Sequence, residues 1–180
     1  MTLAGSAVFA IGLVACGQKE SSHPTSGDSE AVYVNAGPLS YQVQLSRALN
    51  PYNVEDREYL NGVSVPPAKP DELWFAVFLR AKNDTHSNHA TTTSFDIVDT
   101  IGNKYYPVPI NPATNPYAWT SQTLKPLGTE PTTDSPASFG PTQGGLLLFK
   151  VNTSVFSNRP LMLQINAAGQ SRPSTVSLDL

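Results

Sequence analysis

The chain has 180 residues, a formal net charge of -3 and only 14% charged residues, against roughly 25% in an average soluble protein. That length holds one domain, and the lack of a basic excess excludes the Lys/Arg footprint on which nucleic-acid binding rests. A single cysteine excludes an intrachain disulfide and any multi-cysteine zinc site, while 12 glycines and 16 prolines punctuate the chain with turns.

Leu3 to Ala15 is apolar or small at all 13 positions. A bilayer crossing needs about 20 such residues, so the run has the length of an export-signal core instead. It ends in Leu13-Val14-Ala15-Cys16, and the composition then turns polar through Gln18-Lys19-Glu20-Ser21-Ser22-His23-Pro24. This tetrad resembles the lipobox of bacterial lipoproteins. The resemblance implies a diacylglyceryl group on the Cys16 thiol, cleavage between Ala15 and Cys16, and anchoring at the outer face of the cytoplasmic membrane. A thiol is the nucleophile such a transfer needs, and small residues before it let a peptidase approach. The alternative, a buried apolar helix with an incidental cysteine, is opposed by the polar stretch that follows. Met1-Thr2 carries no Lys or Arg, so the positive start of an export signal either lies upstream or is weak.

Residues 16–36 read as a flexible tether. Ser21, Ser22, Ser26, Ser29, Pro24, Gly27 and Asp28 leave too little apolar surface to offset ordering entropy. About 20 such residues reach roughly 25 Å. Residues 37–180 read as an all-β domain. Tyr41, Val43 and Leu45 alternate with polar residues, the period of a half-buried strand. Asn50 to Tyr59 is turn-rich with room for one helical turn. Leu73 to Ala81 (LWFAVFLRA) is the strongest apolar run and reads as a central strand, with Trp74 where an immunoglobulin core places its aromatic. Residues 92–99 and Tyr105 to Ile110 form a hairpin across Ile101-Gly102-Asn103-Lys104. Half of the prolines then fall in 107–141, a density no regular ladder survives; long connections of this kind are usually functional or mobile. Gly145 to Val151, Leu161 to Ala167 and Thr175 to Leu180 are three more strands, with a capped turn at Asn152 to Asn158. About seven short strands and a long Pro-rich loop predict an immunoglobulin-like two-sheet sandwich.

Trp74 to Asn83 is followed by Phe95-Asp96-Ile97-Val98-Asp99, then Gly102-Asn103-Lys104-Tyr105-Tyr106-Pro107, and much later Gln143-Gly144-Gly145-Leu146-Leu147-Leu148-Phe149-Lys150. The order is similar to the telokin-like, immunoglobulin-fold domains of bacterial exported lipoproteins of the DUF4352 and MPT63-like kind. The resemblance covers residues 73–180. It implies a fold and an extracytoplasmic setting, and no functional residues.

Catalytic signatures are sparse. His86 and His89, with Asp96 and Asp99 nearby in sequence, match no standard metal spacing, and the segment reads as a polar loop. His23 falls in the tether, and no G-x-S-x-G elbow accompanies it. Glu55, Asp56 and Glu58 surround Arg57, a run that reads as a solvated turn rather than the carboxylate pair of a glycosidase. Gly144-Gly145 precedes a strand, unlike a phosphate-binding loop. Asp96 and Asp99, three apart, point to opposite faces, and Asp99 before Thr100-Ile101-Gly102 reads as a turn former. Asn83-Asp84-Thr85 and Asn152-Thr153-Ser154 match the glycosylation pattern without meaning in a bacterial lipoprotein. Tyr117 and Trp119 in the Pro-rich loop are either a lid on the core or an anchor for a partner.

The expectation is a lipid-anchored, extracytoplasmic protein displaying a non-enzymatic binding sandwich, with no cofactor and no metal. Its partners are the membrane through Cys16 and an unidentified envelope protein or ligand. The alternative is an accessory lipoprotein that carries a small ligand or metal to an envelope complex. An envelope enzyme is a third reading, and it requires a cleft with convergent titratable groups.

Overall fold

The structure, a computed structural model, describes residues 22–178; the export segment 1–15 and the lipidation and cleavage positions Ala15 and Cys16 lie outside them. The strands in chain order are β1 (Ser26–Gly27), β2 (Tyr33–Ala36), β3 (Leu39–Leu49), β4 (Glu72–Lys82), β5 (His89–Ala90), β6 (Phe95–Val98), β7 (Lys104–Tyr105), β8 (Thr123–Leu124), β9 (Thr129–Glu130), β10 (Gly145–Asn152), β11 (Leu161–Ile165) and β12 (Ser174–Leu178). Two short helices, α1 (Val54–Tyr59) and α2 (Pro136–Phe139), and a 3-10 turn at Thr153–Phe156 complete the described residues. Seven of these strands have four or more residues, which matches the expected count.

One sheet has the order β10-β4-β3-β2, with β9 also pairing with β4; the other has β1-β12-β11-β6-β7. Taking β3, β4 and β10 as A, B and E, and β6, β11 and β12 as C, F and G, gives the immunoglobulin arrangement. A third, two-stranded pairing joins β5 to β8. The 107–141 region therefore holds two two-residue ladders and the one-turn helix α2, and is otherwise as irregular as its prolines dictate.

β4 explains the layering. Successive side chains on a strand point to opposite faces, and both faces of β4 are covered. Phe75, Val77 and Leu79 face the other sheet, packing in one core with Ile97, Leu163 and Val176. Trp74, Ala76 and Phe78 face outward into a second core with Leu49, Tyr59, Leu146 and Leu148. Val63, Val65, Val108, Ile110 and Tyr117 roof that second core, and an isolated bridge ties Val63 to Ile110. Each large side chain so buried contributes about 1.5–3 kcal/mol.

Four expectations need correction. Trp74 does not sit between the sheets: its parity on β4 puts it on the outer face, with the Lys150 ammonium 5.1 Å from its ring centre. Leu45 does not share a face with Tyr41 and Val43. The pairing register slips between Val43 and Leu45, and this bulge at Gln44 turns Leu45 toward the second core. The proposed tether 16–36 also does not extend to Ala36. Val34 and Ala36 are buried, Tyr33 to Ala36 pairs with Leu39 to Gln42, and Ser26–Gly27 lies parallel to Thr175–Val176. The hairpin return after Lys104 is likewise short: Pro107 already bridges Phe149 of the opposite sheet.

The helix α1 shows what the acidic run is for. Asn53 caps it, its Oδ1 accepting from the Glu55 N–H at 2.9 Å. Asp56 is buried, and its carboxylate receives the Arg47 guanidinium at 2.6 Å and the Asn50 N–H at 2.7 Å. Burial alone would raise the Asp56 carboxyl, but these donors outweigh it and hold it below the usual value. Asp56 is thus a latch between β3 and α1. Asp56→Ala is expected to cost about 1–3 kcal/mol in chemical denaturation at pH 7. Because the folded-state value is depressed, the wild-type advantage is lost as pH falls below about 3.9.

Candidate functional site

The Pro-rich connection is pinned by Asn115, which is fully buried. Its Nδ2 donates to the carbonyls of Tyr59 and Asn61, each at 3.0 Å, and its Oδ1 accepts from the Tyr117 N–H at 3.0 Å. The next residues lie along β10: Leu146 N–H donates to Tyr117 O at 2.7 Å and Trp119 N–H to Leu146 O at 2.9 Å. Tyr117 and Trp119 then diverge. The Tyr117 ring packs on Tyr59 with centroids 5.0 Å apart. The Trp119 ring enters the inter-sheet core beside Phe95 at 5.8 Å and Tyr41 at 6.3 Å, and its Nε1 donates to Thr92 O at 3.0 Å. Of the two readings of this pair, these contacts support the lid. The Gly144-Gly145 step makes room for it. A Cβ on Gly145 would lie 2.7 Å from the indole, and one on Gly144, at φ +124°, would lie 2.8 Å from the Phe78 backbone.

Beyond Trp119 the connection folds back and pairs β9 with the last residues of β4, past the start of β10, with Glu130 opposite Ala81 and Thr129 opposite Lys82. Glu130 is only 4% exposed. Its Oε2 has no hydrogen-bond partner and is the only ionisable side-chain atom so placed among the described residues. Burial raises the carboxyl to about 7. Glu130 lines a cleft of about 280 Å³, together with Tyr117, Ala118, Pro131, Ala137 and Gly145 and the polar residues Thr120, Gln122, Thr132 and Ser135. No Lys, Arg or His lines it.

A buried carboxyl without a donor is a costly arrangement, and such groups concentrate at binding and catalytic sites. Near neutral pH this one exchanges readily between acid and carboxylate. It stands as the single carboxyl of its cleft, whereas two-carboxyl hydrolysis needs a pair.

The residues considered from sequence lie elsewhere. His89 Nε2 is 3.0 Å from Ser87 Oγ on the β4–β5 side, and His23 stacks on Tyr33. Asp96 is held by Lys104 Nζ at 3.2 Å and Asn166 Nδ2 at 2.9 Å. Asp99 receives the Ile101 and Asn103 N–H groups and the amides of Asn103 and Asn158. Burial would raise Asp99, but these donors hold it below its usual value, as befits a turn former. Among the described residues no group of three or more His, Cys, Asp or Glu side chains is placed to hold a metal. Asn83 spends its amide on the Ser87 and Leu124 carbonyls, and Asn152 caps the 3-10 turn.

Sequence reasoning missed Glu130. It stands in Gly-Thr-Glu-Pro-Thr-Thr, which reads as an exposed turn. Its burial comes from pairing with Ala81, far away in the chain, and no local pattern signals that.

Solved structures with similar folds are β-sandwich proteins. The yjhA protein of Bacillus subtilis superposes with a TM-score of 0.51 at 14% identity, over 84% of this chain and 99% of that one. The ycdA protein of the same organism, described as a candidate lipoprotein, gives 0.48 at 12% identity over 85% of this chain, which spans 39% of its length. An uncharacterized β-sandwich protein of Clostridium difficile gives 0.43 at 13% identity, over 86% and 96%. No protein-family model and no curated protein matches the chain. The chain is an all-β, immunoglobulin-like sandwich, and the likeness to yjhA bears on that fold alone.

Proposed function

We propose that this chain is a lipid-anchored extracytoplasmic protein whose sandwich is a non-enzymatic binding domain, with the Glu130 cleft as its binding surface. The observation that carries the reading is Glu130, a residue of an open cleft's lining whose carboxyl is buried with an unpartnered Oε2. One titrating carboxyl with no second catalytic group in reach suits recognition better than turnover. The partner surface is then the cleft and its exposed rim at Thr132. The small volume also favours the second reading, in which the protein carries a small ligand to an envelope complex.

The anchoring half of the proposal rests on Leu13-Val14-Ala15-Cys16. No described helix is long and apolar enough to cross a membrane. A diacylglyceryl group supplies two chains, enough for stable attachment. Ser22 lines a cavity with Gly37, Pro38, Asp84 and His89, so the chain enters at the end of the sandwich that carries the β2–β3 and β4–β5 turns. The six residue steps from Cys16 to Ser22 span at most about 20 Å. This end, which also carries the Asn83–Gly128 backbone pairing beside β9, would therefore face the lipid surface.

The test is the mass of the amino-terminal peptide from membranes of cells fed an alkyne fatty acid. The expected result is a diacylglyceryl adduct on Cys16, with Cys16→Ser losing the label and leaving the membrane fraction. An unmodified Cys16 peptide in wild-type membranes would overturn the anchoring.

A further inference from the structure

We infer that the Glu130 cleft takes a compact primary ammonium, the head of a small amine carrying no anionic group of its own. The inference rests on reading the sandwich as a binding domain, and not on the lipid anchor. β9 is fixed to β4 by the pairing of Glu130 with Ala81 and Thr129 with Lys82, so the backbone that carries the carboxyl is in place before any ligand arrives. Its Oε2 is buried and has no donor. Nearby Lys82 is already committed to Asp84 at 2.6 Å, and the only other titratable group in the lining is Tyr117. An outside cation is what the site lacks.

The chemistry of the lining narrows that cation. A calcium ion carries two charges and asks for six to eight oxygen ligands, whereas this cleft holds a single carboxyl and otherwise only uncharged polar residues. An ammonium has three donors. Besides Glu130, the polar residues Thr120, Gln122, Thr132 and Ser135 line the same space, and Ser135 Oγ donates to Thr132 O at 2.8 Å. Tyr117 adds an aromatic wall of the kind that attracts cations. Because no basic residue lines the cleft, a carboxylate or phosphate beside the amine would meet Glu130 unneutralised. Free amino acids and phosphorylated amines are thereby disfavoured, while alkylamines and amino sugars fit. The volume of about 280 Å³ sits at the lower bound of ligand pockets, which favours a small molecule.

The test is an NMR titration of the full chain at pH 8 with ethylammonium chloride and with glucosamine hydrochloride, against sodium chloride and glucose. The expected result is saturable shifts confined to residues 117–122 and 129–135, with Glu130→Gln weakening binding about tenfold or more. Which amine binds more tightly distinguishes the two sources. Thr132→Arg, which tethers a guanidinium at the rim, should weaken binding as well without disturbing the fold. Equal shifts with glucose, unchanged affinity in Glu130→Gln, or no saturation by about 100 mM would overturn the assignment. Such a failure alongside an intact partner crosslink at Thr132 in cells would remove the ammonium and leave the binding-domain reading in place.

Discussion

Trp119→Ala is expected to destabilise the sandwich by about 3–5 kcal/mol, read as a lower midpoint in chemical denaturation. The indole turns in from the outer connection and packs, half-buried, against the core between the sheets. It touches Phe95 from one sheet and Tyr41 from the other. Its Nε1 satisfies the Thr92 carbonyl at 3.0 Å, while the Thr92 N–H donates to Tyr41 Oη at 3.0 Å. Truncation therefore opens a cavity, strands a carbonyl and loosens the segment that leads into β6. Trp119→Phe keeps most of the apolar contact and should lose only about 1–2 kcal/mol. Tyr52, 91% exposed, is the matched control, and Tyr52→Ala should fall within about 0.5 kcal/mol of wild type. A Trp119→Ala protein as stable as wild type would mean that the ring is not a core element, and the partner-anchor reading of Tyr117 and Trp119 would return.

Glu130→Gln is expected to do the opposite and stabilise the protein at pH 8, by about 1–3 kcal/mol. Burial raises the carboxyl from 4.5 to about 7. In that window the folded state binds more protons than the unfolded state, so wild-type stability falls as pH rises. Glutamine has the same shape and no charge to bury. Its advantage should be absent near pH 4.5, grow through pH 7 and level off above. For a domain of this size that is a rise of about 2–4 °C in Tm per kcal/mol. An advantage independent of pH would show that the carboxyl is not desolvated, and the cleft would lose its defining feature. A bound amine reduces the difference, since a ligand that binds only the folded wild-type protein stabilises it by mass action.

The readability of this chain follows from where each residue's partners lie. LWFAVFLRA is legible as a central strand because a run apolar at both parities must be covered on both sides. The same property hides which face meets the other sheet, and so the run does not reveal that Trp74 belongs to the outer core. Asp99 is legible because its donors, Ile101 and Asn103, lie within four residues. The strand Tyr33–Ala36 is obscured by the Ser, Pro and Gly around it, although Val34 and Ala36 alternate correctly. At Gln44 a bulge inserts a residue into an otherwise regular alternation, which composition does not reveal. The candidate site was half legible. The density of prolines and the aromatic pair mark the connection as special, and that pattern is compatible with a lid and with an anchor. The contacts of Trp119 with Phe95, Tyr41 and Thr92 support the lid. Glu130 was illegible because its environment is assembled from β4, β9, α2 and the start of β10.

The same contacts separate the ends of the molecule. Asn35 O accepts from Ser174 Oγ at 2.6 Å at the end where the chain enters, and Thr100 N–H donates to Asn158 O at 3.1 Å at the other. Thr132 lies toward the first end, and the exposed Ile101 lies at the second. The most direct test of a displayed binding domain is therefore photo-crosslinking in its own cells, with the reactive residue at Thr132 or at Ile101 of the full chain. The expected result is a discrete adduct from Thr132, none from Ile101, and loss of the Thr132 adduct in both Glu130→Gln and Cys16→Ser. Equal adducts from the two positions, or a Thr132 adduct indifferent to both substitutions, would contradict it.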